Sequence, residues 1–243
     1  MPTIAPVESP PPKLSPTLRA SRVVLTLAAY VLVLGISLFG SSGTLDWIEA
    51  WGFLALWSTW MAFIGSYLFR HNPDLLRERL RVAPVQHEQK GWDKVVSVIL
   101  VLTSIPYLLL PGLDHRFGWT HVPLGIEVAA FAGILPCLGL LFWVMRENTF
   151  LSRVVKIDRA RGHKVVTTGP YRYVRHPMYV GALVLYACMP LALGSFAGLV
   201  PAALLSTLIV VRTSLEDRTL HAELEGYVEY ARQTRYRLIP GVW

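Results

Sequence analysis

Apolar residues along this chain fall into long uninterrupted runs, and short segments between the runs carry nearly all of the charge. Four of these runs have 17 to 20 residues and no charged side chain: Val23–Phe39, Ala50–Phe69, Val95–Leu113 and Val128–Met145. A helix needs about 20 apolar residues to cross the hydrocarbon core of a bilayer. The pattern therefore predicts four transmembrane helices.

A fifth uncharged run covers Met178–Val211, which is too long for one ordinary span. Four residues that interrupt helices lie in its middle: Pro190, Gly194, Gly198 and Pro201. Neighbouring helices can satisfy the backbone groups that such residues free. The run predicts a tight helical hairpin of two minimal spans that turns near Gly194–Ser195.

These runs predict an all-α fold, a polytopic membrane bundle of about six spans. Residues 1–21 form a proline-rich tail that we expect to be disordered and cytoplasmic, because proline and polar residues bury little apolar surface. No basic segment followed by a cleavage site precedes the first run, so we expect that run to remain as an anchor. Residues 22–145 then hold four transmembrane helices. Residues 146–243 hold a polar loop, the hairpin and a C-terminal cytoplasmic helix.

The basic residues predict the orientation of this bundle. In a six-span arrangement, all of the 23 Lys and Arg residues except Arg116 lie on one side. Basic loops face the cytoplasm, so we expect both termini on that side.

The net charge of +7 lies in short loops and not along one basic face, which argues against a nucleic-acid partner. The two cysteines, Cys137 and Cys188, fall inside apolar runs, where a disulfide framework is improbable and neither has metal-ligand spacing.

The segment "TTGPYRYVRHPMYVG", Thr167 to Gly181, concentrates polar groups directly before the hairpin. Proline suits the first turn of a helix, so Pro177 is expected to start the fifth span. His176, Tyr171 and Tyr179 then lie near a helix N-terminus, whose free N–H groups favour a carboxylate. An interfacial belt of Tyr, Arg and His is the structural alternative.

A second polar group follows the hairpin in "VVRTSLEDRTL". Arg212 and Glu216 are one helical turn apart on one face, and Asp217 is adjacent. The alternative is a snorkelling arginine paired with a surface carboxylate.

The segment "HNPDLLRERL" after the second span is expected to be amphipathic and interfacial, without a chemical role. Because no Rossmann, P-loop or HExxH pattern occurs, a nucleotide-like cofactor would need a site made of helix ends and loops.

The residues from Asn148 to Trp243 resemble the isoprenylcysteine carboxyl methyltransferase family, which belongs to a wider group of integral-membrane methyltransferases that includes phospholipid methyltransferases. Three motifs carry the resemblance, in order around the hairpin: "GHKVVTTGPYRYVRHPMYVG", "RTSLEDRTL" and "GYVEYARQTRYRLIPGVW". The resemblance implies methyl transfer from S-adenosylmethionine to a lipophilic acceptor at the cytoplasmic face, with residues 146–243 as the catalytic region. No obligatory protein partner is evident; the partners are the bilayer-borne substrate and membrane lipids.

The family motifs assign roles to residues of this chain. Arg212 is expected to face the acceptor, and Glu216 is the second catalytic candidate. The cofactor-binding residues implied are His163, Lys164, Val165, Val166, Tyr171, His176, Pro177, Met178, Tyr179, Glu216 and Asp217. The family's Glu-Glu pair is Glu216-Asp217 here, and Lys156 stands where eukaryotic relatives tend to carry Gln, so neither the working carboxylate nor a cofactor contact of Lys156 is fixed. No metal is expected.

The chemistry suits these residues, because an in-line methyl transfer needs alignment more than acid or base. An acceptor carboxylate is already ionised at neutral pH, and one arginine can position it. Three alternatives stay open: a phospholipid amine or a small thiol as the acceptor, a non-catalytic lipid-binding protein, and a membrane reductase of related architecture.

Overall fold

The computed structural model describes residues 16–80, 85–86, 89–157 and 162–243. These ranges contain eight α-helices. In chain order they are α1 (Pro16–Ser42), α2 (Ile48–His71), α3 (Pro73–Leu80), α4 (Gly91–Phe117), α5 (Leu124–Glu147), α6 (Pro177–Ala192), α7 (Leu199–Glu223) and α8 (Tyr227–Gln233). A 3₁₀ turn, Gly169–Arg172, precedes α6. The described residues contain no strand, which confirms the all-α fold class.

Six of these helices are the predicted spans. Five of them are long and apolar enough to cross a membrane: α1, α2, α4, α5 and α7. The sixth, α6, is apolar but has only 16 residues. At 1.5 Å per residue it is about 24 Å long, against a hydrocarbon core of about 30 Å. The chain is an integral, multi-pass membrane protein.

The predicted N-terminal tail lies mainly outside the described residues. Where the described part begins, α1 starts at Pro16, so residues 16–21 are helical and the expectation of disorder up to residue 21 is wrong for them. The physical reason is that proline fits the first position of a helix, where its missing N–H costs nothing.

The hairpin forms where the sequence predicts it, with α6 and α7 joined by residues 193–198. Gly194 has a φ of +75°, a left-handed conformation that glycine adopts without steric cost. A Cβ atom on Gly198 would lie 2.6 Å from the Cβ of Pro190, so this turn also requires the absence of a side chain. As predicted, α6 begins at Pro177.

A buried carboxylate fixes the turn of the hairpin to the loop between α4 and α5. Asp114, only 1% exposed, accepts hydrogen bonds from the hydroxyl groups of Ser195 and Thr120 and from the Thr120 backbone N–H at 2.8 Å. The Thr120 hydroxyl oxygen in turn accepts from the Phe196 N–H at 3.0 Å. The end of the bundle that bears the hairpin turn is therefore held by hydrogen bonds as well as by packing.

The packing of the helices leaves a space inside the bundle. α5 packs along α6, α1 packs against α2 and α4, and α4 packs against α7, whereas α2 meets α5 at few points. Near the hairpin turn a core that includes Leu38, Ile134 and Leu205 fills the interior. At the opposite end, Tyr171, Tyr227 and neighbouring side chains form a second cluster. The space between these two clusters is the cavity described below.

We expect Asp114→Ala to destabilise the protein, because it removes the acceptor of the buried Ser195 hydroxyl and of the half-buried Thr120 hydroxyl. Leaving buried polar groups unsatisfied costs about 1–3 kcal/mol. The measurement is thermal unfolding in detergent, followed by tryptophan fluorescence. Asp46→Ala is the control, because Asp46 is exposed at the same end of the bundle. Equal unfolding temperatures for the two variants would contradict this role for Asp114.

Candidate functional site

A cavity of about 900 Å³ lies inside the bundle and joins an apolar region to a polar one. Its apolar end is formed by side chains of α1, α2 and α4, including Leu27, Trp57, Trp60 and Leu100. Its polar end is formed by the loop after α5, the 3₁₀ turn, the start of α6 and the second half of α7. Ligand pockets range over roughly 300–1,000 Å³, so this cavity has room for more than one small molecule.

Most of the residues singled out from the sequence lie on the wall of this cavity. They are His163, Lys164, Val165, Val166, Tyr171, His176, Met178, Tyr179, Arg212 and Glu216. Two do not line it: Pro177, whose place is the first turn of α6, and Asp217. The fold thus brings segments that are far apart in sequence to a single cavity.

Tyr179 connects the two candidate catalytic side chains on α7. Its hydroxyl group donates a hydrogen bond to Glu216 Oε2 at 2.5 Å. The guanidinium carbon of Arg212 lies 5.9 Å from the centre of the same ring, within the range of a cation–π contact. One side chain from α6 therefore contacts both the cation and the carboxylate and helps to orient them.

Asp93 of α4 holds Arg212 in place, and sequence reasoning missed it. The Arg212 Nη2 atom donates to Asp93 Oδ2 at 3.3 Å and to the Arg153 carbonyl at 2.8 Å. Its Nε atom lies 2.9 Å from Asp93 Oδ1, close enough for strong ionic attraction although the angle does not suit a hydrogen bond. Among the described residues, no group accepts a hydrogen bond from Arg212 Nη1, so this atom can donate to a ligand.

Asp93 also organises the loop after α5. Its side chain has no exposed surface, and its Oδ2 accepts hydrogen bonds from the Val155 N–H at 2.7 Å and from Gln89 Nε2 at 2.8 Å. A buried carboxylate needs such partners, because removing it from water is costly. One carboxylate therefore sets the positions of Arg212 and of the loop that covers the cavity.

The two neighbouring carboxylates on α7 have different surroundings. Asp217 is 1% exposed and accepts hydrogen bonds from Arg175 Nε at 2.8 Å, Arg237 Nε at 2.8 Å and the Tyr227 hydroxyl at 2.8 Å. The Nε2 atom of His176 is 3.3 Å from it. Glu216, one residue earlier, lines the cavity. Asp217 therefore holds the surrounding segments together, and Glu216 is the carboxylate available to a ligand.

The C-terminal tail supports the residues that begin α6. The backbone N–H groups of Arg175 and His176 donate to the carbonyls of Tyr236 and Arg237 at 2.9 and 3.0 Å. The Arg175 side chain donates to the Thr234 carbonyl at 2.9 Å. Burial alone would lower the pKa of Arg175, but its hydrogen bonds to Asp217 raise the pKa above the ordinary value, so the side chain stays cationic.

Tyr171 is fixed by the 3₁₀ turn. Gly169 has a φ of +58°, and a Cβ there would lie within 3 Å of Trp143 and Glu147 side-chain atoms, so this turn requires glycine. The Tyr171 hydroxyl accepts a hydrogen bond from Asn148 Nδ2 at 2.9 Å. Burial raises the pKa of Tyr171, which keeps its hydroxyl group protonated at neutral pH.

Helix α3 contributes to the site, although the sequence predicts only an interfacial role for it. Leu76 and Arg79 line the cavity. Glu78 lies 3.4 Å from Lys156 Nζ, and both side chains are more than nine-tenths buried. The amphipathic pattern indicates that α3 lies flat on the bundle, but it does not show that its polar residues reach the interior.

Residues 128–224 match a family model described as phospholipid methyltransferase. The matched segment begins in α5 and ends directly after α7, so it includes the polar loop, the 3₁₀ turn and the whole hairpin. It contains the first two of the three motifs from which the resemblance is drawn, and the third, Gly226–Trp243, lies beyond it. A comparison of the chain with curated proteins finds no significant match.

We expect a double-mutant cycle on Asp93 and Arg212 to show strong coupling. Breaking a buried ion pair by removing one partner costs about 3–5 kcal/mol, because the other charge is left uncompensated. Asp93→Ala should therefore lower the unfolding temperature more than Asp93→Ala/Arg212→Ala does. The measurement is again thermal unfolding in detergent. The control cycle uses Asp74 and Arg77, an exposed pair on α3, and should show almost no coupling. Additive effects at Asp93 and Arg212 would contradict the ion pair.

Proposed function

We propose that the chain is an integral-membrane methyltransferase, which the match of residues 128–224 to the phospholipid methyltransferase family supports, and that it transfers a methyl group from S-adenosylmethionine to the carboxylate of a lipophilic, prenylcysteine-like acceptor. The observation that carries this proposal is the joint placement of Arg212 and Glu216. The two side chains lie on one face of α7, and the cavity that they line continues into an apolar region.

Glu216 suits the methyl donor, which carries a positively charged sulfonium and an ammonium group. A carboxylate in a cavity with little water attracts a cation more strongly than it would at the surface. Tyr171, His176 and the segment His163–Val166 surround the same space and supply rings and backbone groups for the nucleoside part. These are the cofactor-binding residues in this proposal.

Arg212 suits the acceptor. Its Nη1 atom can donate a charge-assisted hydrogen bond to an acceptor carboxylate. A carboxylate oxygen then attacks the methyl carbon, the carbon–sulfur bond breaks, and S-adenosylhomocysteine leaves as a neutral thioether. The carboxylate is ionised at neutral pH, so no general base is required. The role of the protein in this step is alignment of the two reactants and exclusion of water.

The apolar end of the cavity suits a lipid chain that enters from the bilayer. Val33 on α1 and Val101 on α4 line the cavity and are 57% and 47% exposed, so both lie where it opens to the surroundings. The surroundings of these helices are lipid. An acceptor with a long apolar group could therefore reach the cavity from the bilayer beside these residues without crossing water.

The distribution of basic residues supports a cytoplasmic location for the polar end. The loop after α5, the start of α6 and the end of α7 lie at the same end of the bundle, and the basic residues concentrate there. We propose that this end and both termini face the cytoplasm, where S-adenosylmethionine is made.

A phospholipid amine is the second candidate acceptor, and the description of the matched family favours it. In that case Arg212 would bind the phosphate of the headgroup, and the amine would have to lose a proton before it attacks the methyl group. Glu216 is the only carboxylate among the described residues that line the cavity, so it would be the candidate base. The carboxylate acceptor requires fewer steps from the same residues.

The deciding experiment is incubation of the purified protein with labelled S-adenosylmethionine and a panel of acceptors. The panel contains a prenylcysteine analogue, phosphatidylethanolamine and an alkyl thiol. We expect a base-labile methyl ester from the prenylcysteine analogue. Label on the phosphatidylethanolamine headgroup that base does not release as methanol would instead identify a phospholipid methyltransferase. Absence of both transfer and S-adenosylhomocysteine binding would reject the function and leave a lipid-binding protein.

The two α7 residues should fail in different ways. Arg212→Lys keeps a charge but loses the shape of the guanidinium, and we expect kcat to fall about 100-fold with little change in the Kd for S-adenosylhomocysteine. Glu216→Gln should weaken S-adenosylhomocysteine binding about tenfold, or about 1.4 kcal/mol, because the cation loses its partner. Turnover assays and calorimetry measure the two effects.

Arg218→Ala and Glu225→Ala are the controls for these variants, since both residues are exposed near the same end of the bundle. We expect wild-type turnover and binding from both. Wild-type behaviour of Arg212→Lys and Glu216→Gln as well would reject the assigned roles.

A further inference from the structure

Among the described residues, the mostly buried cations at the polar end of the cavity have carboxylate partners, with the exception of the half-buried Arg79. Arg175 pairs with Asp217, Arg212 with Asp93, and Lys156 with Glu78. Lys164 also lines the cavity, but it is exposed and solvated. Arg79 has no carboxylate within ion-pair distance among the described residues. It is therefore the cation whose presence the protein alone does not explain.

The surroundings of Arg79 leave its donors largely unused. Its Nε atom is fully buried without a hydrogen-bond acceptor. Its Nη2 atom is 3.2 Å from the sulfur of Met178, which is a weak acceptor. Glu78, the next residue in sequence, accepts a hydrogen bond from the Ser152 hydroxyl at 2.9 Å and pairs with Lys156. The nearest carboxylate in sequence is thus engaged by other groups.

The charge on Arg79 persists in this position. Burial, and after it the neighbouring charge of Arg153, lowers the pKa of Arg79 to about 10, so the side chain is still protonated at neutral pH. Attraction to Glu78 offsets only part of this effect, and a charge removed from water without full compensation is destabilising. An anion placed next to it by a ligand would compensate that charge.

We propose that Arg79 is an anion-binding residue that holds a carboxylate or phosphate group of a ligand in the polar end of the cavity. A guanidinium binds either anion through charge-assisted hydrogen bonds, and Arg79, which lines the cavity, can donate them from its terminal nitrogens. Met178, which Arg79 contacts, is next to Tyr179 in sequence, and Tyr179 packs under Arg212. The cavity thus has two arginine anchors on either side of one short segment.

This inference rests on the proposed function for the identity of the ligand. Two sources of the anion fit: the amino-acid carboxylate of S-adenosylmethionine, and the anionic head of the acceptor. With Arg212 facing the acceptor, Arg79 is left for the donor, although the chemistry of the contact is the same in both cases. The variants Arg79→Gln and Arg79→Lys separate the sources. Arg77→Gln is the matched control, since Arg77 lies on the same helix, 58% exposed, and pairs with Asp74.

The first arm tests binding of the donor. Calorimetry measures the Kd for S-adenosylhomocysteine and for methylthioadenosine, which lacks the carboxylate. If Arg79 binds the donor, Arg79→Gln should bind S-adenosylhomocysteine at least tenfold more weakly and methylthioadenosine normally. Arg79→Lys should recover part of the loss because it keeps the charge.

The second arm measures binding of the anionic head group of a lipid. Dodecyl phosphate and dodecanol are titrated while the fluorescence of Trp57 and Trp60, which line the cavity, is recorded. If Arg79 binds this head, the wild type should prefer dodecyl phosphate and Arg79→Gln should lose the preference. This arm needs no methyl donor, so it decides the role of Arg79 even if the wild type binds no S-adenosylhomocysteine and the proposed function fails.

Weaker S-adenosylhomocysteine binding in the first arm or a lost preference for dodecyl phosphate in the second supports the proposal. Arg79→Gln should also unfold at no lower temperature than the wild type, because it removes an unpaired charge. Wild-type affinities in both arms would overturn the proposal. A clearly lower unfolding temperature of ligand-free Arg79→Gln would also overturn it, since that result assigns Arg79 a structural role.

Discussion

Two buried carboxylates determine the arrangement of the polar end of this bundle. Asp93 joins Arg212 of α7 to the loop after α5, and Asp217 joins α7 to Arg175 and to Arg237 in the tail. In the interior of a membrane protein a charge without a partner is expensive, so each of these contacts must form when the helices assemble. The same requirement makes the site specific. The loop and the tail have only a few arrangements that satisfy both carboxylates at once.

The contrast between Glu216 and Asp217 follows from the geometry of a helix. Adjacent residues point about 100° apart, so one faces the cavity while the next faces the tail. The shorter side chain binds three donors directly beside the helix, and the longer one extends into the cavity, where the Tyr179 hydroxyl donates to it. A pair of carboxylates that looks redundant in sequence therefore has two separate tasks, one in holding the fold and one at the cavity wall.

Local sequence patterns were sufficient to predict the spans and the hairpin. These elements depend on hydropathy and on the local conformational preferences of residues such as Pro177 and Gly194. The same patterns also placed Arg212 and Glu216 on one face of one helix. Asp93 and Arg79 could not be found in this way. Each contacts residues about 100 positions away in sequence, Arg212 and Met178, and nothing around either residue indicates that partner. The helical start of α1 at Pro16 was missed for a different reason, since a proline-rich composition describes the tail on average and not the residue where a helix begins.

The lengths of the hairpin helices explain why the chemistry and the apolar cavity meet. Tyr179 lies 13 residues before the end of α6, and Arg212 lies 13 residues after the start of α7. Both are therefore about 20 Å from the hairpin turn, at the same level. A turn at one interface puts them about 20 Å into a core about 30 Å thick. α6 begins near this level, at Pro177, whereas α7 continues for about three turns beyond Arg212. The short helix lets the polar loop and the tail descend to a depth that lipid chains reach. In the proposed function the methyl donor and the lipophilic acceptor meet at this depth, where Asp93 pairs with Arg212 and Asp217 pairs with Arg175.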